Sequence, residues 1–352
     1  MNPQDPSSFN HRTESLKTGR KYHFIDQKPQ AYNPRRTPTL LCIHGFPDFW
    51  FGWRYQIGPW VRRGLRVVAP DMLGYGGTDK PTDPSEYSTK KLCNDLAALL
   101  DLLEVKKAVS DMKWIFLSLT ELSQIVVGHD WGSFTASRFA LWHPDRLLAL
   151  VILSLPYTPP SPIYIPVEEV AKRAPDLAYM LYFNDNRSTR QIENNIGTFI
   201  RVAYRKPRTS NNFSLSGLAQ HGSNPFENVE IPNSDLVLNE REFEIMRQTL
   251  SKGMNGPLNY YRTAKFRHDE ELAAGLHPNL RPDLPVLFMW GTLDKTTTKT
   301  VIGKAHKFVP RIQDVALEGR GHWLMVEAKD EITEKVISWL ESLMEKPTQC
   351  KL

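Results

Sequence analysis

The chain has 352 residues, 41% hydrophobic and 24% charged, with 26 Pro and 20 Gly, an ordinary globular composition that allows about two domains of roughly 150 residues or one core with a large insertion. Net charge is +5 without a long basic block, which argues against a nucleic-acid role. Three cysteines, Cys42, Cys93 and Cys350, lie far apart without CxxC or paired Cys/His spacing, which argues against a disulfide scaffold or structural zinc.

Residues 1–12 have neither an apolar stretch nor a basic lead-in, so no signal peptide is expected and the protein should stay inside the cell. The longest apolar run, 147–155, suits a buried strand and is too short to span a membrane. Two glycosylation patterns, Asn186-Arg187-Ser188 and Asn212-Phe213-Ser214, are read as chance matches, since they matter only after secretion. A polar alternating piece at 17–26 reads as an antiparallel edge hairpin. Near-continuous apolar runs follow at 39–43, 66–69, 124–127, 148–153, 286–290 and 312–317, the pattern of parallel strands buried on both faces. Helical periodicity lies between them at 88–104, 132–141, 297–308 and 330–344. This is α/β alternation, with a mostly parallel central sheet and helices on both faces.

The alternation stops after Leu155 and resumes at Pro285. The intervening 156–281 is rich in Pro, Asn, Arg and aromatics, with helical segments at 192–204 and 240–251. A Pro-rich entry, Pro156-Tyr157-Thr158-Pro159-Pro160-Ser161-Pro162, and the exit prolines Pro278, Pro282 and Pro285 bound it. It reads as a helical lid, which leaves 1–155 and 282–352 as the core. One stretch fits badly. A helix ending near Lys107 should reach the strand at Gln124 through about 4–6 residues, yet 108–123 intervenes with the apolar run Trp114-Ile115-Phe116-Leu117. Two readings stand for 109–124: a translated retained intron, or a real insertion packed at the sheet edge.

Val126-Val127-Gly128-His129-Asp130-Trp131-Gly132-Ser133 follows a strand and precedes a helix, the context of a nucleophile elbow. The two glycines permit the tight turn, and the displayed residue is Asp130 rather than Ser, so a serine esterase or lipase is disfavoured. A carboxylate attacking saturated carbon makes an alkyl ester that water can cleave, whereas serine would make an inert ether. The substrate should therefore carry a leaving group on sp3 carbon, as epoxides and haloalkanes do. Two later strand ends supply the rest of a triad in the order acid then base. Trp290-Gly291-Thr292-Leu293-Asp294 offers Asp294, and Gly319-Arg320-Gly321-His322-Trp323 offers His322. His322 would deprotonate water, and Asp294 would fix its tautomer and stabilise the imidazolium. His129 reads as structural. His44-Gly45-Phe46-Pro47-Asp48 follows the first parallel strand, so the backbone N–H groups of Phe46 and Trp131 would form an oxyanion hole. Asp71-Met72-Leu73-Gly74-Tyr75-Gly76-Gly77-Thr78 reads as a structural loop.

On these motifs the chain resembles the α/β-hydrolase-fold epoxide hydrolases, in particular the hydrolase domain of soluble epoxide hydrolases, over roughly residues 19–345. The resemblance implies an α/β-hydrolase fold with an inserted helical lid, hydrolysis of an apolar epoxide by water, and no metal or organic cofactor. It also implies two lid tyrosines that hold and protonate the epoxide oxygen. Tyr179-Met180-Leu181-Tyr182-Phe183 matches the first at Tyr179, and Gly256-Pro257-Leu258-Asn259-Tyr260-Tyr261-Arg262 matches the second at Tyr261. A phenol suits the task because an alkoxide is a poor leaving group and a group of pKa about 10 stays protonated at pH 7. Tyr182 and Tyr260 are the neighbours most easily confused with them. The stretch before His44 is too short for the extra phosphatase domain of some relatives, so that second activity is not expected.

The nearest rival is a haloalkane dehalogenase, which shares the Asp nucleophile but needs halide-binding N–H donors. Trp131 could supply one, yet Phe46 stands where many dehalogenases place Asn. The other rival is an inactive or ligand-binding protein on the same scaffold. The final Cys350-Lys351-Leu352 resembles a relaxed Ser-Lys-Leu signal, so recognition by the peroxisomal import receptor, or otherwise a cytoplasmic location, is expected. Oligomeric state is left open.

Overall fold

The apolar runs become strands for the reason their composition suggests: burial on both faces removes the need for polar alternation. The computed structural model describes residues 1–105, 124–207, 215–219 and 225–343. Except for Gln124, the anomalous 109–124 segment lies outside the described residues, as do Asn212-Phe213-Ser214 and Cys350-Lys351-Leu352. Eight strands form one sheet: β1 His11–Ser15, β2 Lys21–Gln27, β3 Thr39–Ile43, β4 Arg66–Pro70, β5 Gln124–His129, β6 Ala149–Leu153, β7 Val286–Gly291 and β8 Ile312–Leu317. Their order is β1-β2-β4-β3-β5-β6-β7-β8. An edge hairpin is present but begins earlier than the expected 17–26: β1 and β2 pair antiparallel around the turn at 16–20, β2 also pairs antiparallel with β4, and all remaining pairs are parallel.

The core helices are α1 Arg54–Arg62, α2 Thr89–Leu102 and α3 Trp131–Trp142. Between β6 and β7 come α4 Val167–Arg173, α5 Tyr179–Asn184, α6 Arg187–Asn194, α7 Ile196–Ala203, α8 Glu240–Leu250, α9 Asn255–Arg262 and α10 Ala264–Ala273. After β7 follow α11 Lys299–Ala305, α12 Leu324–Glu327 and α13 Lys329–Ser342. The helix expected at 192–204 is two helices, because Asn195 leaves helical geometry at φ −129° and ψ 32°. The one expected at 297–308 is shorter, starting after its cap Thr298. Helix α1 was not anticipated: Gly58-Pro59 sits in its middle, while Ile57, Trp60 and Val61 hold it against the core.

Register brings the functional loops together. Ile43 pairs with Gly128 and Gly128 with Ile152, so β3, β5 and β6 end side by side. The β3 strand lies between β4 and β5, so the winding reverses there. The carboxyl edge of such a switch point is where open α/β sheets bind ligands.

Two buried ion pairs tie the helices between β6 and β7 to the core. Glu242 forms a capping box with Asn239 at the start of α8, and its other carboxylate oxygen meets Arg54 of α1 at 2.9 Å, with both side chains 2% exposed. Arg138 of α3 meets Glu271 of α10 at 2.6 Å. Removing one partner of such a pair strands a buried charge, at a cost of about 3–5 kcal/mol.

Candidate active site

The turn from β5 into α3 leaves no room for side chains at its two glycines. A Cβ on Gly128 would lie 2.3 Å from the Gly132 carbonyl oxygen, and one on Gly132 would lie 2.0 Å from that of Ile43. Asp130 between them takes φ +53° and ψ −121°, a conformation costing on the order of 1–3 kcal/mol that the surroundings must enforce. Ser133 supplies part of that enforcement: its hydroxyl lies 2.8 Å from the Gly128 and Leu153 carbonyls and accepts from the Leu153 N–H at 2.9 Å.

The carboxylate of Asp130 accepts from the Phe46 N–H through Oδ1 at 2.8 Å and also from the Trp131 N–H. Its Oδ2 lies 3.7 Å from His322 Nε2. Burial pushes the Asp130 carboxyl up, against the pull of His322 and the two amides. On the far side of the imidazole, His322 Nδ1 lies 2.8 Å from Asp294 Oδ2. The second oxygen of Asp294 accepts from the Thr296 N–H at 2.9 Å and hydroxyl at 2.7 Å. Burial opposes ionisation of Asp294, but His322 and Thr296 hold it below the usual carboxylate range. For His322 burial pulls down, while Asp294, Asp130 and Glu327 pull up, leaving it at about 9.

Two other histidines support this arrangement while remaining neutral. Burial lowers His129 to about 3, and its Nε2–H donates to the His322 carbonyl at 2.9 Å. Burial lowers His44 to about 4. Its Nδ1–H donates to the Gly45 carbonyl at 2.9 Å, and Nε2 accepts from the Met72 N–H at 2.9 Å. The Gly45 carbonyl and the Phe46 N–H belong to one peptide group, so His44 orients and polarises the donor that faces Asp130.

Phe46, Asp130, Tyr179, Tyr261, Asp294 and His322 line one cavity of about 470 Å³, with Phe183, Val202 and Leu215 among its apolar walls. Tyr179 opens α5 and Tyr261 lies in α9; their ring centroids are 6.2 Å apart. Tyr261 meets Phe46 and Trp131 edge-on at 5.0 and 5.2 Å, and the Trp131 side chain hydrogen-bonds it. Trp131 itself is off the cavity lining. Burial pushes both phenols up, and the nearby Asp130 carboxylate adds to this, so both are protonated donors at neutral pH. The neighbours are elsewhere: Tyr260 donates to the Leu73 carbonyl at 3.0 Å, and Tyr182 is off the lining. Thr296, Ser154 and Glu327 were not singled out in the sequence, because they act on the backbone and the orienting acid through contacts that no motif encodes. Among the described residues no group of three or more His, Cys, Asp or Glu could hold a metal ion. No described helix is long and apolar enough to cross a membrane.

Residues 38–329 match the alpha/beta hydrolase fold family, and the chain belongs to it. Within that family it sits among the epoxide hydrolases. It is 28% identical over 348 residues to bifunctional epoxide hydrolase 2 of Mus musculus, covering 98% of this chain and 58% of the mouse protein. The chain therefore spans little more than half the length of that relative. It is 30% identical over 313 residues to epoxide hydrolase 3 of Siraitia grosvenorii, covering 85% of this chain and 90% of the relative. A crystal structure of an epoxide hydrolase from Vigna radiata superposes with a TM-score of 0.75 at 27% identity, covering 96% of this chain and 99% of the other.

Proposed function

We propose that this chain opens epoxides to vicinal diols through a covalent ester on Asp130. The observation that carries the reading is a single cavity lined by the Asp130 carboxylate and by the phenols of Tyr179 and Tyr261, which burial keeps protonated. Asp130 Oδ2 attacks a ring carbon. The carbon–oxygen bond of the ring breaks, its electron pair stays on the ring oxygen, and a phenol gives that oxygen its proton. Oδ1 becomes the ester carbonyl oxygen, already held by the Phe46 N–H.

The charge balance then prepares the second step. His322 rests protonated at pH 7, with a pKa of about 9. Esterification removes the charge of Asp130, one of the groups that keep it protonated. The tyrosinate takes a proton back from His322, which becomes the neutral base that the second step needs. Water loses its proton to Nε2 and attacks the ester carbonyl carbon, and the Phe46 and Trp131 amides hold the oxyanion. The bond from that carbon to the former Oδ2 breaks and the departing alkoxide takes the proton left on the added water oxygen, so the diol leaves, Asp130 is again a carboxylate and His322 is again protonated as at rest. No step requires a metal or an organic cofactor.

Two phenols favour this over halide displacement, which needs N–H donors for the leaving ion rather than acids; the Trp131 side chain, the available indole donor, is engaged with Tyr261. Incubation with a styrene oxide derivative tests the reading: diol is expected from the wild type and none from Asp130→Asn. Halide release from a haloalkane without diol from any epoxide would favour the dehalogenase, and neither product would favour a binding protein. Import into peroxisomes through Cys350-Lys351-Leu352 is proposed as well. A fluorescent reporter carrying the last ten residues should become punctate, and a diffuse signal would refute import.

A further inference from the structure

The loop that carries His322 is gripped from both sides, and one of the two grips comes from a side chain with no assigned role. The His322 carbonyl receives three donors: the Leu324 N–H at 3.0 Å, the Ser154 hydroxyl at 2.7 Å and His129 Nε2 at 2.9 Å. The two amides that flank His322 go to one carboxylate. Gly321 N–H donates to Glu327 Oε2 at 2.7 Å, and Trp323 N–H donates to Glu327 Oε1 at 2.8 Å. Glu327 closes the circle by donating its own N–H to the Trp323 carbonyl at 2.8 Å. Each carboxylate oxygen thus takes one charge-assisted bond, the stronger class of hydrogen bond.

We infer that Glu327 is the positioning residue for the general base: by clamping the amides on either side of His322 it fixes where Nε2 presents itself to the hydrolytic water. The inference rests on the ester mechanism proposed above. It assigns Glu327 to one step only. Attack by Asp130 does not use the lone pair of His322, whereas ester hydrolysis depends on its aim, and a displacement of about 1 Å can cost on the order of 10²-fold. The carboxylate has a second effect in the same step. Once Asp130 is esterified, Asp294 and Glu327 are the anions that still favour the imidazolium, so the charge of Glu327 helps the base hold the proton it takes from water.

Glu327→Gln and Glu327→Ala in the full chain test this, with the Ala variant emptying the clamp. The Gln variant keeps the shape but sets an NH₂ against one of the two N–H groups, so it remains informative should the Ala variant not fold. Rapid-quench measurement with styrene oxide separates ester formation, followed as an adduct on the Asp130 peptide, from ester decay. Expected are near-wild-type ester formation, ester decay slower by on the order of 10²-fold in the Ala variant, and an accumulating adduct. The acid limb of the decay step should move to lower pH in both variants, a shift that a purely structural role would not produce. Wild-type decay in the Gln variant, or an equal loss of both steps, would overturn the inference. Absence of any adduct on wild-type Asp130 would instead refute the ester mechanism itself.

Discussion

Replacing Asp294 by Asn tests how the base is powered. His322 rests at about 9, against 6.5 for an unperturbed imidazole. That gap is worth about 3 kcal/mol at roughly 1.4 kcal/mol per pH unit. Burial alone would drive the value down, and Asp294 is the largest of the opposing causes. With the amide in its place only Asp130 and Glu327 oppose burial, and His322 should fall well below its wild-type value. The Asn side chain can also hold the wrong tautomer. The equivalent change in a serine-protease triad lowers kcat on the order of 10⁴-fold. Ester formation should continue while ester decay nearly stops, so one equivalent of adduct accumulates without steady diol release. Stability should report the same energy. The raised value of His322 stabilises the folded chain fully below pH 6.5, and this contribution disappears as pH rises through about 9. Wild type should therefore lose about 3 kcal/mol over that window through this pair, and the variant should not. Urea unfolding at the two ends of the window and an NMR titration of His322 measure both. A variant whose His322 still titrates near 9, or whose ester turns over normally, would refute the reasoning.

Four further outcomes follow from the same geometry. In the wild type, ester formation should change little as pH rises through about 9, because the phenols and not His322 protonate the ring oxygen, whereas ester decay should rise with a midpoint below that, because esterification removes one of the charges that raise His322; rapid-quench profiles that coincide would contradict the charge argument. Tyr179→Phe with Tyr261→Phe should slow ester formation on the order of 10²–10⁴-fold and leave decay untouched, and a doubly substituted chain alkylated at the wild-type rate would remove both phenols from the mechanism. His44→Ala should weaken the Phe46 donor and slow both steps, which single-turnover rates would show; unchanged rates would limit His44 to packing. Glu242→Ala should destabilise the chain by about 3–5 kcal/mol, since it leaves Arg54 buried without its partner; a urea midpoint equal to wild type would mean that water reaches Arg54.

The legible parts of this fold are those set by local physics. Parallel strands buried on both faces advertise themselves as apolar runs, and β3, β4, β5, β6, β7 and β8 all fall within two residues of their expected ends. The elbow was legible because Gly128 and Gly132 have no alternative at 2.3 and 2.0 Å from neighbouring carbonyls. Helix α1 was not, since a Gly-Pro pair that reads as a turn is carried there by the burial of Ile57, Trp60 and Val61. The break at Asn195 was hidden because apolar periodicity continues on both sides of it. The tyrosines were legible through family resemblance and not through spacing, for nothing local distinguishes Tyr261, lining the cavity, from Tyr260, bonded to Leu73. Glu327 had no sequence signal at all: its partners are backbone amides, which every residue has.

The central claim is the ester on Asp130, and isotope labelling tests it most directly. A single turnover of a racemic epoxide in ¹⁸O-labelled water, with enzyme in excess, should release diol carrying unlabelled oxygen and leave the label in the peptide containing Asp130. Label in the first-turnover diol with none in that peptide would mean that water attacks the epoxide directly and that Asp130 is not the nucleophile.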